Sequence, residues 1–122
     1  MALPIGGKVL LDTNVFIDFL RADRHIEWVL GGHGTVVRFI SAIVLLELRL
    51  GADTPRRKKA IDRLQHAFSS ERTLGLTPTV LDRAGQLFRA MYGNASGLRD
   101  RLGPMNDVLI ALTAREIGAT VV

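Results

Sequence analysis

Short apolar runs alternate with helix-forming segments along this 122-residue chain, and this alternation restricts the fold more than any other feature of the sequence. Such alternation predicts an α/β fold, in which a parallel sheet is flanked by helices. The length is that of a single domain. The predicted strands are residues 8–11, 36–40, 73–76 and 120–122, and the predicted helices are residues 14–20, 24–30, 42–50, 55–68, 78–91 and 106–117. The polar, glycine-containing residues 92–103 are predicted to form a loop.

The composition narrows the classes of function. The chain is 48% hydrophobic, enough for a core, and its 16 basic and 12 acidic side chains give a net charge of +4. This basic balance favours an anionic partner, with nucleic acid as the first candidate. The absence of cysteine excludes disulfides, zinc–thiolate sites and thiol catalysis. No apolar stretch approaches the roughly 20 residues of a membrane span, and no signal peptide is recognisable, so we expect a cytoplasmic protein without a membrane contact.

Three acidic residues lie in otherwise apolar segments. Asp12 follows the apolar run of residues 9–11, while Glu47 and Asp107 lie near the starts of two apolar helices. The carboxyl ends of parallel strands and the helices that follow them share one edge of a sheet, so we expect the three carboxylates to converge there. Hard oxygen ligands, without cysteine or clustered histidine, favour Mg²⁺ or Mn²⁺ over zinc. A shared divalent cation is therefore the predicted reason for these acids.

Structural roles for the same acids remain open at this point. Asp12 could cap the helix that follows it, and Asp107 could do no more than favour a helix N-terminus. Glu47 is harder to explain in that way, because it lies among leucines and a buried carboxylate needs a metal, an arginine or solvent. The three histidines lie in unrelated segments and are interpreted as surface or packing residues.

Three segments together resemble the PIN-domain family, especially the VapC-type toxin ribonucleases of toxin–antitoxin pairs. They are VLLDTNVFI over residues 9–17, ISAIVLLELRLG over residues 40–51, and NDVLIALTAREIGATVV over residues 106–122. In order and approximate spacing they span the chain, and they are specific only in combination. The resemblance implies a PIN-like parallel sheet flanked by helices, often paired as a homodimer. It also implies a metal-dependent endoribonuclease with Asp12, Glu47 and Asp107 as catalytic and metal-binding residues.

The same resemblance suggests residues and partners around the acids. Thr13, Asn14, Ser41 and Asn106 match positions that support the site in the family. An RNA substrate and a cognate antitoxin are the implied partners, and the apolar stripes of residues 55–68 and 77–91 are candidates for an exposed partner surface. Basic side chains that could hold an RNA backbone are Arg49, Arg56, Arg57, Lys58, Lys59, Arg99 and Arg101. Each of these could equally belong to a solvated basic face.

The carboxyl end departs from the family pattern. The final strand of the family normally leads into a further Asp or Asn, whereas this sequence ends at Val122. We therefore expect residues 1–122 to be a single PIN-like domain lacking its final segment, with weak or single-metal occupancy and low nuclease activity.

The sequence leaves one alternative function open and disfavours another. The alternative to a nuclease is a catalytically weak PIN-like module that binds RNA or protein. A haloacid-dehalogenase-type phosphatase is disfavoured, because Asn14 stands where that family has a second Asp.

Overall fold

The computed structural model describes residues 7–31, 36–93 and 102–122. Its elements follow one another as the sequence predicts, with strands and helices alternating. They are β1 (Lys8–Leu10), α1 (Thr13–Ala22), α2 (Ile26–Leu30), β2 (Val37–Ser41), α3 (Ala42–Leu50), α4 (Pro55–His66), a 3₁₀ turn (Ser70–Arg72), β3 (Thr73–Leu74), α5 (Pro78–Tyr92), α6 (Leu102–Ile117) and β4 (Ala119–Val121).

The four strands form one parallel sheet in the order β3-β2-β1-β4. Strand β1 is central, and its Leu10 is level with Phe39 of β2 and Val121 of β4. Val9 and Leu10 point to opposite faces of the sheet, and both are fully buried. A central parallel strand buried on both faces requires helices on both sides. The predicted parallel sheet flanked by helices is confirmed.

The helices begin where side chains can cap them. Ser41, Thr54 and Thr77 each accept a hydrogen bond from a backbone N–H in the first turn of the helix that follows. Proline occupies the first position of α4 and of α5, where its missing N–H costs nothing. These caps set the starts of α3, α4 and α5 at the predicted residues.

Helix α6 begins earlier than predicted. It spans Leu102–Ile117, whereas the predicted helix begins at residue 106, and its first turn includes Gly103 and Pro104. Proline is tolerated in the first turn of a helix, because the N–H groups there have no intrahelical acceptor. The predicted loop is therefore wrong at its ends, since Tyr92 belongs to α5 and Gly103 to α6. Residues 94–101 lie outside the described part of the chain.

Helix α3 is less buried than its sequence suggests. Ile43, Val44 and Leu48 pack in the core, but Leu46 is 51% exposed and Leu50 is 78% exposed. The helix contacts α1, α4, α6 and β2, and Leu46 and Leu50 lie on the side that stays exposed within the described chain. Among the helices that the structure describes, none has the length and apolar character needed to cross a membrane.

Candidate functional site

Asp12 lies at the carboxyl edge of the sheet, directly after β1. Its backbone N–H donates to the carbonyl of Val122 at 2.9 Å, while Leu11 donates to the carbonyl of Phe39 at 3.1 Å. These two bonds continue the pairing of β1 with β4 and β2 beyond the last strand residue. Asp12 is thus held between the ends of two neighbouring strands, at the edge where α/β sheets carry their ligands.

Thr13 links Asp12 to Glu47. Its backbone N–H donates to Asp12 Oδ1 at 2.7 Å, and its hydroxyl donates to Glu47 Oε1 at 3.0 Å. Thr13 is only 7% exposed, whereas both carboxylates are half-buried. The buried threonine therefore links Asp12, which precedes α1, to Glu47 of α3, although Thr13 and Glu47 are 34 residues apart in sequence.

The described basic residues do not neutralise either acid. Neither Asp12 nor Glu47 forms an ion pair with a basic side chain in the described part of the chain. The nearest basic residue in sequence to Glu47 is Arg49, which instead pairs with Asp62 of α4 at 2.6 Å. Glu47 thus meets a hydroxyl donor and no positive charge among the residues described.

Ser41, Asn14 and Asn106, the other predicted supporting residues, differ in burial. Ser41 is fully buried at the end of β2, and its hydroxyl accepts the Ile43 N–H at 3.1 Å. It therefore supports the site by fixing the start of the helix that carries Glu47. Asn14 is exposed in the first turn of α1, and Asn106 is half-buried in α6.

Asp107 stands apart from this hydrogen-bonded unit. It is exposed in α6, a helix that packs against β1, α3, α5 and β4. Because α6 begins at Leu102, Asp107 lies in its second turn and not at its first residue. Within residues 7–31, 36–93 and 102–122, no three His, Asp or Glu side chains form a group close enough to hold a metal ion.

The three acids supply the type of ligand atom that a hard cation prefers, but the described structure does not group all three around one point. Carboxylate oxygens suit Mg²⁺ or Mn²⁺, and two of the acids are joined through Thr13. The third carboxylate does not complete a three-ligand group in the described structure.

Comparison with known proteins gives the family. The family model of the PIN domain matches residues 9–122. The chain belongs to the PIN-domain family. The resemblance inferred from the three sequence segments is confirmed, whereas no curated protein matches the chain.

Solved structures share this fold. FitAcB from Neisseria gonorrhoeae is 25% identical, with 93% of this chain and 84% of that chain covered and a TM-score of 0.61. FitAB bound to IR36 DNA is also 25% identical, with 93% and 82% covered and a TM-score of 0.60. VapBC2 from Rickettsia felis, bound to a DNA fragment from their promoter, is 22% identical, with 93% and 85% covered and a TM-score of 0.59. At that lower identity the likeness to VapBC2 concerns the fold.

The basic residues predicted to contact RNA differ in whether they form ion pairs. Arg49 reaches from α3 to Asp62 and Gln65 of α4, and Arg57 pairs with Asp53 at 2.6 Å. Arg56, Lys58 and Lys59 are exposed on the first turns of α4. Arg99 and Arg101 lie outside the described residues. Of the predicted RNA-binding residues on α4, Arg56, Lys58 and Lys59 form no ion pair with the residues that the structure describes.

One basic residue was missed by sequence reasoning. Arg38 interrupts the otherwise apolar strand β2, and a charged side chain in such a strand is a signal that could have been noticed. The link from Thr13 to Glu47 had no comparable signal, because only the folded chain brings α1 against α3.

Proposed function

We propose that this PIN domain is a metal-dependent endoribonuclease that hydrolyses RNA phosphodiester bonds. The observation that carries the proposal is the pair of carboxylates, Asp12 and Glu47, that buried Thr13 holds at the carboxyl edge of the sheet. Two acids fixed in this way without a basic partner among the described residues favour a cation between them. Asp107 would join them as a third ligand from α6.

The acids and their neighbours have distinct roles in this proposal. Asp12, Glu47 and Asp107 would hold Mg²⁺ or Mn²⁺, which when bound lowers the pKa of a water and stabilises charge on a phosphate. Thr13 orients Glu47 by donating to Oε1, and Ser41 fixes the helix that carries Glu47. Asn14 and Asn106 are polar neighbours for the substrate. Arg56, Lys58 and Lys59 on α4 are candidates for contact with the RNA backbone.

We further propose that the protein acts in the cytoplasm as the toxin of a VapBC-type pair, with an antitoxin as its partner. Family membership and the likeness to FitAB and FitAcB support this reading. The exposed leucines of α3 and α5 offer apolar surface for such a partner.

RNA cleavage tests the enzymatic proposal. With Mn²⁺ present, the wild-type chain should cleave RNA, and EDTA should abolish the reaction. Asp12→Asn and Asp107→Asn should each lower the rate more than about 100-fold, beyond the loss typical of residues that only support a metal ligand. Asp82→Asn removes an exposed carboxylate from α5 and should cleave like the wild type. Equal cleavage in EDTA and in Mn²⁺ would overturn the metal-dependent mechanism.

The second candidate is a PIN-like module that binds RNA or protein and cleaves weakly. The absence of a three-carboxylate group within the described residues favours it over a fully assembled nuclease. It predicts RNA binding that is unchanged by EDTA and by Asp12→Asn, with only weak cleavage by the wild type.

A further inference from the structure

A cavity of about 380 Å³ lies beside strands β2 and β3, away from the carboxylates. Arg38 of β2 and Arg72, the residue before β3, line it together with Phe68 and Ser69. Arg38 is near the amino end of β2, whereas Asp12 follows the carboxyl end of β1, since Val9 is level with Arg38. At about 3.3 Å per residue, this puts Arg38 roughly 10 Å back along the sheet from the edge that carries Asp12.

The Arg38 guanidinium is fixed on one side. Its Nη1 donates to the carbonyl of Trp28 at 2.9 Å and to that of Val29, both near the end of α2. Its Cζ lies 5.1 Å from the centre of the Phe68 ring. Gly31 approaches so closely, with a φ of +97°, that a Cβ there would lie 3.1 Å from Arg38 Nη2. These contacts hold the guanidinium in one orientation.

The other donors of Arg38 have no acceptor among the described residues. Guanidinium carries five N–H donors, and the hydrogen bonds of Arg38 within the described chain use Nη1 alone. Arg72 also forms no ion pair there, and its Cζ lies 5.4 Å from the centre of the Phe39 ring. Two arginines, each placed over an aromatic ring, therefore present unused donors to one cavity.

The guanidinium groups of Arg38 and Arg72 repel each other. Burial lowers the pKa of Arg38 below its usual value, and the positive charge of Arg72 lowers it further. Arginine nevertheless stays protonated at neutral pH, so the repulsion persists in the folded protein. An anion bound in the cavity would offset this repulsion and would accept hydrogen bonds from the unused N–H groups of the two arginines.

We propose that the cavity bounded by Arg38, Arg72 and Ser69 is a binding site for the phosphate group of a ligand. The planar fork of a guanidinium matches two phosphate oxygens, and the Ser69 hydroxyl can donate to a third. Inorganic phosphate and a nucleoside monophosphate both carry this group. The site uses none of the acids assigned to RNA cleavage.

Calorimetric titration with inorganic phosphate in EDTA tests the site, because EDTA removes any cation from the carboxylates. The wild-type protein should bind one phosphate. Arg72→Gln should weaken binding about tenfold or more, as expected for the loss of a charge-assisted hydrogen bond. Arg38→Lys keeps the charge but loses the fork, and it should also weaken binding. Arg89→Gln removes an exposed positive charge from α5 and should bind phosphate like the wild type.

Adenosine monophosphate and adenosine distinguish the two phosphate sources. Tighter binding of the monophosphate than of inorganic phosphate would identify a nucleotide site, and equal binding would identify a site for the phosphate alone. Equal binding of adenosine and its monophosphate would overturn the proposal. Unchanged phosphate affinity in Arg72→Gln, or an equal loss in Arg89→Gln, would also overturn it. RNA cleavage can succeed or fail independently of each of these results.

Discussion

Thr13 is the residue on which the candidate site depends most. Its backbone N–H donates to Asp12 and its hydroxyl donates to Glu47, so one buried residue orients the carboxylate that precedes α1 and the carboxylate of α3. Sequence reasoning could place Asp12 at a strand end, because an apolar run precedes it. It could name Thr13 only as a supporting residue, since the partner of a hydroxyl depends on how α1 and α3 pack.

Replacing Thr13 by valine tests this role at the scale of a residue. Valine matches the shape of threonine but cannot donate to Glu47, so Glu47 loses its fixed orientation. We expect Mn²⁺ affinity and RNA cleavage to fall by about 10- to 100-fold, the usual loss when a support of a metal ligand is removed. Thr13→Ser, which keeps the hydroxyl, should retain most of both. Wild-type Mn²⁺ affinity in Thr13→Val would show that the hydrogen bond does not position a ligand.

Helices α3 and α6 show which features of a helix can be predicted from the local sequence and which cannot. Ser41 precedes an apolar helical pattern, which is typical of an N-cap, and in the structure its side chain accepts the Ile43 N–H. The predicted start of α6 at residue 106 lies after the observed start at Leu102, because Gly103 and Pro104 are typical of loops although a first turn accepts them. Caps are local chemistry and can be read from sequence, whereas the exposure of Leu46 and Leu50 depends on which helices are neighbours.

The Ser41 cap gives a prediction at the scale of an element. Ser41→Ala removes the acceptor for the Ile43 N–H in a fully buried setting, so that N–H is left without its partner. We expect the free energy of unfolding to fall by about 1–2 kcal/mol, measured by urea denaturation. Ser70→Ala truncates an exposed hydroxyl in the 3₁₀ turn and should change stability by less than about 0.5 kcal/mol. Equal stabilities of the two variants would mean that the Ser41 hydroxyl does not hold α3.

At the scale of the whole molecule, exposed apolar side chains mark where a partner could bind. Of the two helices predicted to offer such surface, α4 buries its Ile61 and Leu64 in the core, whereas α5 exposes Leu81, Leu87 and Met91. The stripe of α4 meets the core, so this part of the prediction is wrong. Helix α3 adds Leu46 and Leu50 to the exposed apolar surface.

A homodimer is one predicted use of this surface, beside the binding of an antitoxin. Multi-angle light scattering should give twice the mass of the chain for the wild type. One of two double variants, Leu46→Gln with Leu50→Gln or Leu87→Gln with Met91→Gln, should give the mass of a single chain, because it removes apolar area from the interface. The variant that remains dimeric serves as the control for the other. A wild-type protein of single-chain mass at high concentration would contradict the dimer.

Mn²⁺ binding measured by calorimetry tests the central claim most directly, namely that Asp12, Glu47 and Asp107 share a cation. The wild type should bind Mn²⁺, and Asp12→Asn, Glu47→Gln and Asp107→Asn should each weaken binding by about tenfold or more, because each removes a charged oxygen ligand. Asp82→Asn, which neutralises an exposed acid on α5, should bind like the wild type. Wild-type Mn²⁺ affinity in all three variants, or no binding by the wild type, would contradict the claim.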